Sequence, residues 1–329
     1  MTGSVTSPPA PYASPSWRRR LRRTRRRATA AAQLAAVRAH LRALERVAPA
    51  AADRRALDLW CTLPAVPRRQ DGRPAGGVVH RVPVPRGGTV AVETWGEGPT
   101  VVLVHGWGGW RGQLGAFVAP LVDAGHRVIA VDAPGHGDSD PGYLGPRRGT
   151  VMEFVEALEA TLERFGPATG LVGHSMGCTV VGQVLAAGAT PERVALVAPN
   201  HGFEDVVAMF TGLLRLGGRT ADHLRASLEE VAGRPMAGFD LAPLGERGVT
   251  PPTLVVHDRD DRETPYRVAV ELAARWPDTR LVTTQGLGHH RVLASPVTVD
   301  AVVAHLVERG PGPGVTPAAN TEASGETRR

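Results

Sequence analysis

The chain has 329 residues, 42% of them hydrophobic and 21% charged, which suits one main domain with extensions. No run of about 18 apolar residues occurs, so the sequence predicts no transmembrane helix. The formal charge of +6 is local, because eight of the ten residues from Arg18 to Arg27 are arginine and the remainder carries about −2. A basic arm, not a basic fold, is therefore predicted. It offers nucleic acid or an anionic surface a place to bind, but not as the main function. Every basic side chain apart from histidine is Arg, in a chain rich in Ala, Gly and Val, so coding bias contributes to the arginine content.

Residues 1–16 are rich in Pro, Ser and Ala, and residues 310–329 continue in the same style, so both are predicted to be disordered. From Trp17 to Val47 the pattern is helical, with Leu34, Val37, Leu41 and Leu44 on one stripe; this Arg-rich helical extension, 17–74, is expected to pack against the main domain. Arginine pairs here raise a twin-arginine export signal, but Gln33, Arg38 and His40 interrupt any apolar stretch. Cys61 and Cys178 match neither a zinc spacing nor a CxxC pair. A reduced, cytoplasmic setting is the expectation.

The main domain is placed at 75–309. VVHRVPV and GGTVAVETWG alternate like hairpin strands. TVVLVHG is an apolar run suited to a strand buried on both faces. Strands HRVIAVDA, TGLVGHS and RVALVAPN then alternate with helices VMEFVEALEATLERFG and MGCTVVGQVLAAG. After a helical excursion at about 201–249, read as a small cap, PTLVVHD, YRVAVELAARW, RLVTTQG and a last helix near Val297 to Val307 resume the rhythm. The fold class is α/β: a doubly wound, mostly parallel sheet with a small helical cap and an N-terminal helical extension.

Gly173-His174-Ser175-Met176-Gly177 matches GxSxG, directly after a strand and directly before a helix. Glycines at both ends permit a tight turn that lifts the serine above the sheet. A serine hydroxyl needs a base to take its proton, and that histidine needs a carboxylate to hold its tautomer. In the order Ser, acid, His the chain offers one good set, on loops at the carboxyl ends of strands. The acid lies among Asp258, Asp260, Asp261 and Glu263, with spacing to Pro265 favouring Asp261. Of His289 and His290, His289 follows Gly288 at the strand end and is better placed to turn inward. Backbone N–H groups of Trp107, in the loop His105-Gly106-Trp107-Gly108-Gly109, and of Met176 are the predicted oxyanion donors. Trp110, Phe203, Val206 and Phe210 are predicted substrate contacts for an apolar small molecule. His105, His136 and His174 are read as turn or supporting residues, and Cys178 as a packed side chain behind Ser175. No cofactor and no metal site are predicted.

HGWGG, DAPGHGDSD, GHSMG, VVHDRDDRETP and GLGHH occur in this order between about Val78 and Arg309, and together they resemble the α/β-hydrolase family. The resemblance implies a triad of Ser175, Asp261 and His289, an oxyanion pair of Trp107 and Met176, and hydrolysis of an ester-like bond through an acyl-enzyme. Asp258 departs from the pattern, standing where the family commonly has Gly. Acyl transfer on the same triad is one alternative. A non-catalytic binding module using the basic arm is another.

Overall fold

The computed structural model describes residues 17–64, 73–200 and 202–308, with the side chains of 17–23, 26 and 27 outside the described set. The disorder expected for 1–16 and 310–329, and most of the Arg18–Arg27 arm's side chains, therefore lie outside the described residues. Eight strands form a single sheet: β1 (Val78–Pro83), β2 (Thr89–Trp95), β3 (Thr100–Val104), β4 (Arg127–Val131), β5 (Gly170–His174), β6 (Arg193–Val197), β7 (Thr253–Asp258) and β8 (Thr279–Thr284). Their order is β1-β2-β4-β3-β5-β6-β7-β8. The β1–β2 and β2–β4 pairs are antiparallel and the other pairs are parallel.

Strands β3 and β5 are buried at every residue, which explains why their sequences run apolar instead of alternating. Neighbouring residues nonetheless serve different cores. Val102, Val104 and Ile129 pack on the side of Phe154, Leu158, Val180, Val184 and Leu272. Val101, Leu103 and Val128 pack on the side of Leu114, Phe117, Leu121, Val302 and Leu306. The first set draws on helices α4 (Val151–Phe165), α5 (Met176–Ala186) and α8 (Arg267–Arg275); the second on α3 (Val118–Asp123), a preceding 3₁₀ stretch and α9 (Pro296–Val307). Helix α4 starts with a capping box, in which Thr150 Oγ1 accepts from the N–H of Glu153 while the Glu153 carboxylate accepts from the N–H of Thr150. Loss of such a cap costs about 1 kcal/mol.

The described residues divide into two compact units: one contains 17–62 and 203–238, the other 63–64, 73–200, 202 and 239–308. The sequence places boundaries at 74/75 and around a cap of about 201–249, with the extension and the cap as separate pieces. Here they share one unit. It is built from α1 (Trp17–Val47), α2 (Pro49–Cys61), α6 (Phe203–Leu214) and α7 (Gly218–Ala232). Asp53 of α2 takes a bidentate pair from Arg219 of α7 at 3.1 and 2.8 Å. Glu45 of α1 accepts from the N–H of Gly217, just before α7, at 2.7 Å. Arg38 donates to the carbonyl of Leu213, and Trp60 meets Phe210 edge-on at 5.1 Å.

Candidate active site

Between the last residue of β5 and the first of α5 stands one residue, Ser175, with φ 53° and ψ −119°. Such a backbone is costly for a residue with a side chain, by about 1–3 kcal/mol, and persists only where its surroundings demand it. The demand is visible. A Cβ on Gly177 would lie 2.3 Å from the carbonyl oxygen of Val104, and one on Gly173 would lie 2.7 Å from that of Gly177. Helix α5 thus sits against the end of β3 more closely than any side chain permits, leaving the chain one residue in which to turn. The N–H of Ser175 donates to Val197 O at 3.0 Å, and Ser175 O accepts from the N–H of Cys178. Cys178 is fully buried behind it, its thiol pushed up by burial and thus held uncharged.

The loop after β3 lies against this turn, because a Cβ on Gly106 would fall 2.9 Å from Ser175 Cβ. Two histidines brace it. His105 donates from Nδ1 to Gly106 O at 2.7 Å and accepts at Nε2 from the N–H of Ala133. His136 donates from Nδ1 to Pro134 O and accepts at Nε2 from the N–H of Gly108 at 3.1 Å. Accepting at Nε2 requires neutral rings, and burial enforces it, pushing His105 down to about 4 and His136 to about 3. Further along, buried Arg111 joins Glu93, Asp132 and Asp138, and its backbone N–H donates to Asp132 Oδ1 at 2.6 Å. Trp107, between the two braced glycines, is half-buried and stacks on Phe154. Trp110 is buried, its ring over Gly112.

Among the four candidate acids, Asp261 is the one placed against His289, with Oδ2 2.7 Å from Nδ1. Its carboxylate is inaccessible to solvent. Burial by itself would raise its pKa, but the nearby His257, the hydrogen bond from His289 and those from the N–H groups of Thr264 and Glu263 outweigh that and hold the carboxyl far below the usual range. With Nδ1–H committed to Asp261, His289 keeps Nε2 as its acceptor. The other three carboxylates also reach the histidine loop. Asp258 accepts from Thr284 Oγ1 at 2.7 Å and from the N–H of Leu287 at 3.0 Å. Asp260 accepts from the N–H of Gly286 at 3.0 Å, and Glu263 pairs with the exposed His290 at 3.0 Å.

Two further histidines support this pair. His257, at the end of β7, is completely buried, donates to Thr264 O at 3.0 Å and stands 3.5 Å from Asp261 Oδ2. Only its place just before the acidic loop hinted at this. His174 donates from Nε2 to the backbone carbonyl of His289 at 3.0 Å, with its ring 4.8 Å from the ring of His289. It ties the histidine loop to the residue beside Ser175. Burial, and then the neighbouring His289, push His174 down to about 3.

Phe203, Val206 and Phe210 lie on α6 in the other compact unit, with Phe203 buried and the other two partly so. Among the described residues no group of three or more His, Cys, Asp or Glu side chains could hold a metal ion, and no helix is long and apolar enough to cross a membrane.

Known proteins are similar to this chain in sequence and in fold. A family model described as "Alpha/beta hydrolase family" matches residues 101–302. The 2-hydroxy-6-oxo-6-phenylhexa-2,4-dienoate hydrolase of Burkholderia cepacia is 29% identical over 241 residues, covering 59% of this chain and 82% of the relative. The 2-hydroxy-6-oxononadienedioate/2-hydroxy-6-oxononatrienedioate hydrolase of Cupriavidus pinatubonensis is 30% identical over 248 residues, covering 60% and 82%. In three dimensions a bromoperoxidase from Bacillus anthracis superposes with a TM-score of 0.55 at 20% identity, over 70% of this chain and all of its own. The fold, the family match and these relatives agree, and the chain belongs to the α/β-hydrolase family as a hydrolase.

Proposed function

We propose that the chain is a serine hydrolase cleaving an ester-like bond of a small, apolar substrate through an acyl-enzyme on Ser175. The observation that carries this reading is the solvent-inaccessible Asp261 carboxylate 2.7 Å from His289 Nδ1, on a loop that His174 ties to the strained Ser175 turn. Nε2 of His289 takes the serine proton as Oγ attacks the substrate carbonyl, and Asp261 stabilises the imidazolium that forms. The oxyanion is received by the N–H groups of Trp107 and Met176. The first belongs to a loop braced on both sides by neutral histidines, the second to the first turn of α5, whose dipole favours negative charge. His289 then returns the proton to the leaving group and activates water against the acyl-enzyme. The Trp107 ring, stacked on Phe154, supplies an apolar wall beside the turn. Phe203, Val206 and Phe210, the apolar contacts expected from the sequence, belong to the other compact unit, and the mechanism does not depend on them.

The names of two relatives favour a second reading, hydrolysis of a 2-hydroxy-6-oxo dienoate, in which the attacked carbonyl is a ketone. A chromogenic acetate ester and a 2-hydroxy-6-oxo-6-phenyl dienoate, each given to wild type and Ser175→Ala, separate the readings. Ester turnover with an initial burst, absent from Ser175→Ala, supports the first. Turnover of the dienoate alone supports the second, and turnover of both substrates undiminished in Ser175→Ala overturns the serine mechanism.

A further inference from the structure

The acidic loop 258–263 meets the histidine loop 284–290 along its length. Asp258 reaches Thr284 and Leu287, Asp260 reaches Gly286, Asp261 reaches His289, and Glu263 reaches His290. These contacts differ in one physical respect. Asp260, Glu263 and His290 are exposed, so their pairs compete with water and contribute little. Asp258 is fully buried. Its Oδ2 accepts from Thr284 Oγ1, the last residue of β8, and from the N–H of Leu287, two residues before His289; its Oδ1 accepts from the N–H of Asp260 at 3.0 Å. One carboxylate therefore holds both ends of the turn that delivers the histidine and the start of the turn that delivers its acid. A buried carboxylate held by three fixed donors cannot shift without leaving those donors unpaired.

We propose that Asp258 is a positioning residue that sets the approach of His289 to Asp261 by clamping the two loops together. The proposal rests on the reading of Asp261 and His289 as acid and base. An amide at 258 has one acceptor oxygen and presents N–H groups to donors on its other side, so Asp258→Asn breaks the clamp at nearly constant volume. Thr284→Val removes a single donor and serves as the gentler variant should Asp258→Asn fail to fold.

The experiment measures three quantities on wild type, Asp258→Asn and Thr284→Val: ester kcat and KM, the rate of labelling by a fluorophosphonate, and the low-field proton resonance of His289 Nδ1–H. Asp258→Asn is expected to lose about 10²-fold in kcat, the scale of a misplacement of about 1 Å, with KM changed by less than about threefold. Its low-field resonance is expected to broaden or vanish. Thr284→Val is expected to follow in the same direction by a few fold. A folded Asp258→Asn with wild-type kcat and an intact resonance overturns the clamp. So does a folded Thr284→Val with wild-type kcat and resonance when Asp258→Asn is unfolded. Wild type that never labels, while its resonance is still lost in Asp258→Asn, breaks the serine-hydrolase reading and leaves the clamp standing.

Discussion

The serine turn and the acid–histidine loops reach their geometry by different physics. Ser175 is placed by backbone sterics: two glycines admit contacts that no Cβ could occupy, and the serine takes the φ of 53° that remains. Asp261 and His289 are placed by side-chain hydrogen bonds, through Asp258, Thr264, His257 and His174. The first kind of constraint is written in a few contiguous residues. The second also needs partners 25 or more residues away, as with Thr264 and His289. Sterically placed groups should tolerate loss of their own side chain but no added atom nearby. Groups placed by hydrogen bonds should respond to each missing partner in turn.

The sharpest test of that contrast is on catalysis. Ser175→Ala and His289→Ala are expected to lower ester kcat by about 10⁵- to 10⁶-fold, and Asp261→Asn by about 10⁴-fold. All three should stay folded by circular dichroism. Residual activity within tenfold of wild type in any of them would remove that residue from the mechanism. Next comes Gly177→Ala, whose methyl would meet the Val104 carbonyl at 2.3 Å. A loss of more than about 4 kcal/mol is expected in urea unfolding, and a loss below about 1 kcal/mol would show that the turn can open.

Acid should weaken the histidine braces in a predictable window. His105, His136 and His174 are neutral when folded, pushed by burial down to about 4, about 3 and about 3. Unfolded they would protonate near about 6.5. Their contribution to stability is therefore complete above that pH and is lost progressively as the pH falls toward their folded values. Asp261, whose folded pKa is depressed, acts in the same direction, its contribution present above about 3.9 and lost below it. The melting temperature should fall steadily from pH 7 to pH 4, and His136→Gln should flatten that fall. A melting temperature independent of pH over this range would contradict the neutral braces. The smallest expected effect separates strain from chemistry. Ser175→Gly and Ser175→Ala both lack the hydroxyl, yet Ser175→Gly should be the more stable by about 1 kcal/mol, because glycine accepts positive φ without a Cβ penalty. Equal melting temperatures would mean that the turn is not strained.

Much of this molecule was legible in its residues. All eight strands were readable, because Val-rich runs of four to six residues bounded by Gly, Pro and Asp have few other uses. Ser175 was legible for the reason given above. Helices α2 and α7 were not singled out: α2 follows α1 after a single residue, Ala48, and α7 has a polar, Arg- and Glu-containing pattern that makes sense only beside its partners. The ties from Glu45 and Asp53 to the start of α7 join residues more than 160 positions apart, beyond the reach of periodicity.

The sequence alone determined the class of fold, the tight turn at Ser175 and the two loops that hold the proposed acid and base. These depend on local sterics and on the spacing of apolar residues, both of which are properties of short segments. Tertiary structure decided which of four neighbouring carboxylates faces His289, what the others hold, and which buried histidines must stay neutral. Those choices turn on distances between loops and on burial, and a carboxylate's role follows from the donors that surround it once water has been excluded.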